Sequence, residues 1–180
     1  MEKYPSNKIG ILGGSFDPAH NGHLSISKIA IKKVRLKKIY WVITKKNPFK
    51  RKPFFSLKKR LHKAKEIVKK NKKIQVLFLD NKIKSSRSID VIKYISRKES
   101  LSDLYFIIGS DILQEFHRWK SWKKIVKLTK LIVFSRTGYG NKRKEFIVLK
   151  YLKKNKLTFI KNKPIKISST NLRKKFRRSN

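Results

Sequence analysis

The stretch Gly13-Gly14-Ser15-Phe16-Asp17-Pro18-Ala19-His20-Asn21-Gly22-His23-Leu24 decides the fold, because it joins an apolar strand, a glycine turn and the start of a helix. Before it, residues 9–12 form a short apolar run of the kind that is buried on both faces of a parallel sheet. After it, apolar residues recur near the helical period as far as about Arg35. A glycine turn and a helix amino terminus present backbone N–H groups to an anion. The stretch therefore predicts a site for nucleotide phosphates.

Two histidines, His20 and His23, stand three residues apart at the start of this helix. A first helical turn brings both onto one side, where their ring N–H groups can meet phosphate oxygens. A zinc site is the weaker interpretation, because two histidines without a third ligand or any cysteine do not complete the usual coordination. The structural alternative is a plain turn and an ordinary helix start. The combination favours phosphate binding, since glycine permits the close backbone approach that it needs.

Several classes of protein are excluded or disfavoured by what the sequence lacks. No GxxxxGK[ST] is present, so the chain is not a P-loop protein, and no GxGxxG follows a strand to support a dinucleotide redox enzyme. The absence of cysteine excludes disulfide and thiolate chemistry and fits a reducing compartment. No signal-peptide pattern opens the chain, and no apolar run approaches the roughly 20 residues that cross a bilayer. We therefore expect a cytoplasmic protein without a membrane partner.

The chain is strongly basic, with 50 Lys and Arg residues against 10 Asp and Glu and a formal net charge of +40. The lysines are spread from Lys3 to Lys175 instead of forming one stripe or tail. This distribution favours a solvated basic surface over a dedicated nucleic-acid face, and we expect no specific nucleic-acid partner. The charge should still attract anionic substrates and bind polyanions in a salt-sensitive way. A homo-oligomer is left open.

Apolar β-branched runs alternate with helical patterns along the chain, which predicts an α/β protein with a mainly parallel sheet. At 180 residues, a single domain over residues 1–180 is expected. The predicted strands are about 8–12, 38–43, 74–79, 104–108, 131–134 and 157–160. The predicted helices are near 22–35, 56–71, 88–98, 111–128, 142–154 and 170–178.

The segments with candidate ligand residues follow the predicted strands, at the sheet edge where ligands bind in such folds. They include the glycine and histidine segment, residues 44–51, Gly109-Ser110-Asp111 and residues 135–138. Residues 167–173 lead into the last predicted helix. Their hydroxyl side chains and Arg173 predict either a simple helix cap or a second anion-binding turn, called here the second anion cradle. Asp111 is the better candidate than Asp17 for a ligand contact, since Asp17 precedes a proline and can simply shape its turn. Trp119 could equally stack on a ring or pack.

On these motifs the chain resembles the bacterial nicotinate-nucleotide adenylyltransferases, a family marked by an HxGH motif and a late ISxTxxR motif. His20-Asn21-Gly22-His23 and Ile167-Ser168-Ser169-Thr170-Asn171-Leu172-Arg173 match the two motifs. Further matches are GGSFDP at 13–18, Asn47-Pro48, residues 106–111 with Trp119 after them, and 131–133 leading to Arg136. The resemblance implies a Rossmann-like, mainly parallel sheet with helices on both faces, of the nucleotidyltransferase type. It also implies ATP, Mg²⁺ carried on the ATP phosphates, and nicotinate mononucleotide as the acceptor, with nicotinate adenine dinucleotide and pyrophosphate as products.

The resemblance also implies roles for individual residues, with His20, His23 and Arg173 as the catalytic set and no protein-held metal. The residues expected to bind ATP are Gly13, Gly14, Ser15, Phe16, His20, Gly22, His23, Gly109, Asp111, Arg136, Ile167, Ser168, Thr170 and Arg173. The residues expected to bind the mononucleotide are Ser15, Phe16, Lys45, Lys50, Arg51, Ser88, Ile89 through its backbone, and Trp119. The alternatives are another HxGH transferase, such as pantetheine-phosphate adenylyltransferase, and a basic nucleic-acid-binding protein.

Overall fold

A computed structural model of the chain describes residues 7–46, 52–135, 147–162 and 167–178. Its centre is a six-stranded sheet in the order β3-β2-β1-β4-β5-β6, and every strand pair is parallel. The strands are β1 (Asn7–Gly14), β2 (Lys38–Ile43), β3 (Ile74–Leu77), β4 (Ser102–Gly109), β5 (Lys130–Phe134) and β6 (Leu157–Ile160). The chain moves outward from β1 to β3 and then crosses to β4 on the other side of β1. The crevice between the carboxyl ends of β1 and β4 is therefore the place where such a sheet binds ligands.

Helices lie on both faces of this sheet, as the sequence predicted. They are α1 (Asn21–Val34), α2 (Leu57–Val68), α3 (Asp80–Ile83), α4 (Ser88–Lys98), α5 (Ser110–Glu115), α6 (Trp122–Leu128), α7 (Ile147–Tyr151) and α8 (Ser169–Arg178). One core cluster joins alternate sheet residues such as Ile9 and Ile11 to α4 and α6, and a second joins Leu12 and Trp41 to α1 and α2. Because both faces of the central strands are covered, these strands read as continuous apolar runs in the sequence.

The helix predicted over 111–128 is wrong as one element. The structure ends α5 at Glu115, continues with a 3₁₀ turn over Phe116–Arg118, and begins α6 only at Trp122. The break is a backbone feature, because Trp119 is extended and Ser121 has a left-handed φ of 59°, which an α-helix does not accept. Apolar periodicity runs through this break and so did not reveal it.

Other differences are smaller. The third strand ends at Leu77 instead of Leu79, α2 ends at Val68 instead of residue 71, and the four-residue α3 was not predicted. Residues 142–146 of the predicted helix over 142–154 lie outside the described residues. Among the described residues, no helix is long and apolar enough to span a membrane.

A cluster at the amino edge of the sheet links β2 to the end of α4. The ammonium of Lys38 lies 2.8 Å from a Glu99 carboxylate oxygen, and the buried Tyr40 hydroxyl donates to the same oxygen. Burial acts to raise the pKa of Glu99, but the hydrogen bonds from Lys38 and Tyr40 outweigh it, and the net pKa is lowered. This edge is opposite to the ligand-binding edge, so the cluster contributes to stability and not to the site.

Candidate active site

The first turn of α1 holds both histidines through their Nδ1 atoms. His20 is the N-cap of the helix, and its Nδ1 accepts from Gly22 N at 3.1 Å, while His20 N donates to Nδ1 of His23 at 3.3 Å. The two ring centroids are 4.0 Å apart. A neutral imidazole whose Nδ1 accepts a hydrogen bond carries its proton on Nε2. The backbone of this turn therefore assigns both rings the tautomer that has an Nε2–H donor.

Aromatic packing sets the position of the His23 ring. The Phe16 ring lies 4.8 Å from His23 and stacks at 5.1 Å on Trp41, between centroids. The Trp41 indole N–H donates to Ser27 Oγ at 2.8 Å, and that hydroxyl donates to the His23 carbonyl, also at 2.8 Å. Phe16 itself has a left-handed φ of 46°, a conformation that costs a residue with a side chain about 1–2 kcal/mol. A strained residue in the loop after β1 thus supports the histidine ring.

Packing within the described residues does not require glycine at positions 13 and 14, at the carboxyl end of β1. Among those residues, a Cβ on Gly13 would meet Phe106 at 3.9 Å, and one on Gly14 would meet Phe16 at 3.7 Å, both ordinary contacts. Neither residue has a positive φ that would demand glycine. By contrast, a Cβ on Gly10, deeper in the same strand, would lie 2.9 Å from Ile39 Cγ1. The described side chains therefore leave room above Gly13 and Gly14.

The amino end of α8 packs against the same loop, although it comes from the other end of the chain. Ser168 Oγ accepts from Asn171 N at 3.2 Å and caps the helix. The Arg173 guanidinium donates to the Asp17 carbonyl at 2.7 Å and to Thr170 Oγ1 at 3.0 Å, and Ser169 Oγ donates to the Pro18 carbonyl at 2.9 Å. Asp17 and Pro18 lead directly into His20. The structure thus brings the histidine turn and the hydroxyl and guanidinium turn onto one loop.

Asp17 has a structural task that the sequence suggested only in part. Its carboxylate is buried and accepts from the backbone N–H groups of Phe54 and Phe55, at 2.8 and 2.9 Å. It also lies 3.6 Å from the Arg173 guanidinium. Asp17 therefore ties the loop after β1 to the segment that precedes α2, as well as to α8.

Arg60 is the residue that sequence reasoning missed. It lies on α2, is 2% exposed, and donates to carbonyl oxygens of both loops that end β1 and β2. Burial lowers the pKa of its guanidinium, and the charges of Asp17 and Asp80 oppose this shift. The sequence does contain an indication that Arg60 is buried, because it shares a helical face with Ala64 and Val68, which are buried four and eight residues further on. Among fifty basic residues, one arginine at a core position was not distinguished.

Asp80 holds the loop after β2 from the other side. It is the first residue of α3, is buried, and accepts from Lys45 N at 2.7 Å. Burial raises the pKa of Asp80, against the opposing effects of the Lys45 N–H and of the Arg60 charge. The side chain of Lys45, a candidate for contact with a phosphate, is exposed.

The residues expected on the pyridine side lie across the sheet crevice, on α4 and after α5. Ser88 is the first residue of α4, and the Ile89 side chain is buried in the core, which leaves only its backbone for a ligand. The partly buried Trp119 ring packs 5.2 Å from Phe116, between centroids. Gly109 ends β4 and Asp111 lies in the first turn of α5, at the switch point of the sheet. Three expected ligands, Lys50, Arg51 and Arg136, lie outside the described residues.

Within the described parts of the chain, no three His, Cys, Asp or Glu side chains come together as a metal-binding group.

Comparison with known proteins decides the family. The sequence model of the cytidylyltransferase-like family matches residues 11–175, a range that includes both turns of the site. A curated relative from Pelagibacter ubique, named probable nicotinate-nucleotide adenylyltransferase, is 48% identical over 93% of this chain and 92% of its own length. The chain belongs to the nicotinate-nucleotide adenylyltransferase family.

Membership of this family agrees with further matches. A second relative of the same name, from Clostridium acetobutylicum, is 35% identical over 94% of this chain and 87% of its own length. The fold resembles that of Plasmodium falciparum nicotinic acid mononucleotide adenylyltransferase, solved with APC and with NaAD, with TM-scores of 0.75 and 0.73. Those structures are 22% and 23% identical to this chain and cover 93% of it and 83% of their own chains. The predicted Rossmann-like fold of the nucleotidyltransferase type is confirmed.

Proposed function

We propose that the chain transfers the adenylyl group of ATP to nicotinate mononucleotide and forms nicotinate adenine dinucleotide and pyrophosphate. One observation carries the site: α8 is anchored through Arg173 to the loop that leads into His20. Imidazole, hydroxyl and guanidinium donors from both ends of the chain therefore border the sheet crevice. The activity is supported by the two curated relatives that carry this name.

The reaction needs alignment more than it needs a base. An oxygen of the mononucleotide 5′-phosphate, already ionised near neutral pH, forms a bond to the α-phosphorus of ATP. The bond from the α-phosphorus to its bridging oxygen breaks, and the electron pair leaves with pyrophosphate, so no proton has to be moved. Bringing two anions together in line is the main obstacle, and well-oriented binding can lower such a barrier by about 7–11 kcal/mol.

The histidine turn supplies donors for the phosphates. Because Nδ1 of each ring accepts from backbone, the proposal assigns the contacts with phosphate oxygens to the Nε2–H groups of His20 and His23. In the proposal, His23 stabilises the charge that develops on the α-phosphoryl group. The packing of its ring on Phe16 fixes it before the substrate arrives, which is what electrostatic stabilisation requires.

The remaining proposed contacts divide between the two substrates. Ser168, Thr170 and Arg173 grip the outer phosphates, and the backbone from Gly13 to Phe16 runs along both nucleotides, where the room above the glycines permits it. The other proposed ATP ligands are Gly22, Gly109, Asp111, Arg136 and Ile167. The proposed mononucleotide ligands, besides Ser15 and Phe16, are Lys45, Lys50, Arg51, Ser88, the Ile89 backbone and Trp119.

Enzymes of this type depend on ATP and generally on a metal, and we propose Mg²⁺ bound through the ATP phosphates. When bound there, the ion neutralises charge on the departing pyrophosphate. Because the reaction consumes ATP, we place it in the cytoplasm, with the cell's ATP pool. A single domain and the lack of a specific nucleic-acid partner stay predictions, and whether the chain forms a homo-oligomer is left open.

A comparison of acceptors tests the proposal. Pyrophosphate release from ATP is measured with nicotinate mononucleotide, nicotinamide mononucleotide and phosphopantetheine under the same conditions. We expect the highest kcat/KM with nicotinate mononucleotide. Preference for phosphopantetheine would assign the chain to a different transferase, and salt-resistant nucleic-acid binding without any pyrophosphate release would remove the enzyme assignment.

A further inference from the structure

Arg60 donates to four backbone carbonyls around the site, although nothing in the proposed reaction uses it. Its Nη1 lies 2.6 Å from the Ser15 oxygen and 2.8 Å from the Thr44 oxygen, and its Nη2 lies 3.2 Å from the Lys45 oxygen. Its Nε lies 3.1 Å from the Phe55 oxygen. The side chain is 2% exposed, so it does not reach a ligand in the crevice. One planar guanidinium thus fastens the loops after β1 and β2 and the segment before α2.

These bonds fix the direction of the neighbouring N–H groups. In a trans peptide unit the C=O and the next N–H point in opposite directions. Holding the Ser15 carbonyl inward therefore turns the Phe16 N–H away from Arg60. The Thr44–Lys45 unit is held at both ends, because Arg60 binds its carbonyl and Asp80 accepts its N–H at 2.7 Å.

The bond to Ser15 also bears on His23. Ser15 immediately precedes Phe16, whose φ of 46° is unfavourable for any residue with a Cβ. Such conformations persist where the surroundings over-determine them. The Phe16 ring in turn packs 4.8 Å from the His23 ring. A continuous path of contacts therefore leads from Arg60 through Ser15 and Phe16 to the imidazole.

We propose that Arg60 is a positioning residue for adenylyl transfer, which holds the backbone that faces the nucleotides and the support of His23 in one arrangement without touching substrate. The inference rests on the proposed function for its kinetic consequence. Its guanidinium has the donors for four carbonyls at once, whereas a lysine ammonium has three donors on a single nitrogen and cannot span the same acceptors.

The test compares Arg60→Met and Arg60→Lys with Lys59→Met, which removes one cation from the exposed neighbouring position of the same helix. Turnover is expressed per folded molecule, with the folded fraction taken from urea unfolding at the assay temperature. Since a misplacement of about 1 Å can cost about 100-fold in rate, we expect kcat to fall about that much in Arg60→Met. In this variant, kcat should fall by a larger factor than the KM for ATP rises. Arg60→Lys should be intermediate, and Lys59→Met should match the wild type.

Imidazole spectra provide a readout that does not depend on turnover. Long-range ¹H–¹⁵N correlation should show His20 and His23 as Nε2–H tautomers in the wild type and in Lys59→Met. In Arg60→Met, His23 should lose this single tautomer. The inference would be overturned if Arg60→Met had the wild-type kcat per folded molecule. It would also be overturned if this variant lost activity only in proportion to its folded fraction and kept an unchanged imidazole spectrum. Failure of the wild type to release pyrophosphate would refute the proposed function separately, and the spectra would still test the positioning.

Discussion

Replacing Gly13 with alanine separates a ligand-facing role from a packing role. The added Cβ would lie 3.9 Å from Phe106 and, apart from its chain neighbours, would meet no other atom of the described residues within 4 Å. Since the residue lies in β1 without a positive φ, the folded state accepts alanine, and the unfolded chain loses conformational freedom. The free energy of unfolding should therefore stay the same or rise by about 0.4–1 kcal/mol.

Turnover of Gly13→Ala should fall although stability does not. In the proposed complex, the mononucleotide and the ATP α-phosphate lie against this backbone, and a methyl group displaces one of them. A displacement of about 1 Å costs about 100-fold, equivalent to about 2.7 kcal/mol in the activation free energy. The assay is pyrophosphate release from ATP and nicotinate mononucleotide, paired with urea unfolding of the same preparation.

Gly10→Ala is the matched control in the same strand. Its Cβ would lie 2.9 Å from Ile39 Cγ1 and 3.0 Å from Leu36 Cδ1, so the core must shift. Overpacking of this kind costs about 1–3 kcal/mol of stability, while turnover per folded molecule should stay near the wild type. Wild-type turnover in Gly13→Ala would refute the reasoning, since the room above Gly13 would then not be used by substrate.

The remaining predictions concern four other side chains. His23→Ala should fold normally and lose at least about 100-fold in kcat, measured by pyrophosphate release; near-normal turnover would exclude the proposed role. Arg173→Ala should mainly raise the KM for ATP, and an unchanged ATP dependence would count against the second anion cradle. Ser27→Ala leaves the buried Trp41 N–H without its acceptor and should lower the free energy of unfolding in urea by about 1–3 kcal/mol, and the same substitution should cost less when it is made in Trp41→Phe. Glu99→Gln should cost about 1–2 kcal/mol at pH 7. Because folding lowers the pKa of Glu99, the stabilisation by its carboxylate is fully present above the unfolded pKa of about 4.3 and disappears as the pH falls through the folded pKa. Below the folded pKa, the wild type and Glu99→Gln should therefore be equally stable.

Most of the sheet could be predicted from the sequence because its strands are buried on both faces. Runs such as residues 39–43 and 131–134 are apolar throughout, and segments with turn residues or a helical pattern bound them on either side. The break at Ser121 could not be predicted, since a single left-handed residue leaves apolar periodicity intact. The short α3 is also below the length at which a helical period can be recognised.

The local parts of the site were predictable, whereas the network beneath it was not. The histidine turn and the Ser168 cap are motifs of neighbouring residues, and the structure shows the geometry that their spacing suggests. The contacts of Arg60 with Ser15 and Lys45, and of Asp17 with Phe55, join residues far apart in the chain. Their partners are backbone atoms, which carry no residue-specific signal.

A crystal structure with a non-hydrolysable ATP analogue tests most directly whether the two turns share one triphosphate. We predict triphosphate oxygens within about 3.2 Å of ring nitrogens of His20 or His23 and, on the same molecule, within that distance of Ser168, Thr170 or Arg173. A triphosphate that contacts only one of these two groups, or that binds away from the carboxyl ends of β1 and β4, would contradict the proposed site.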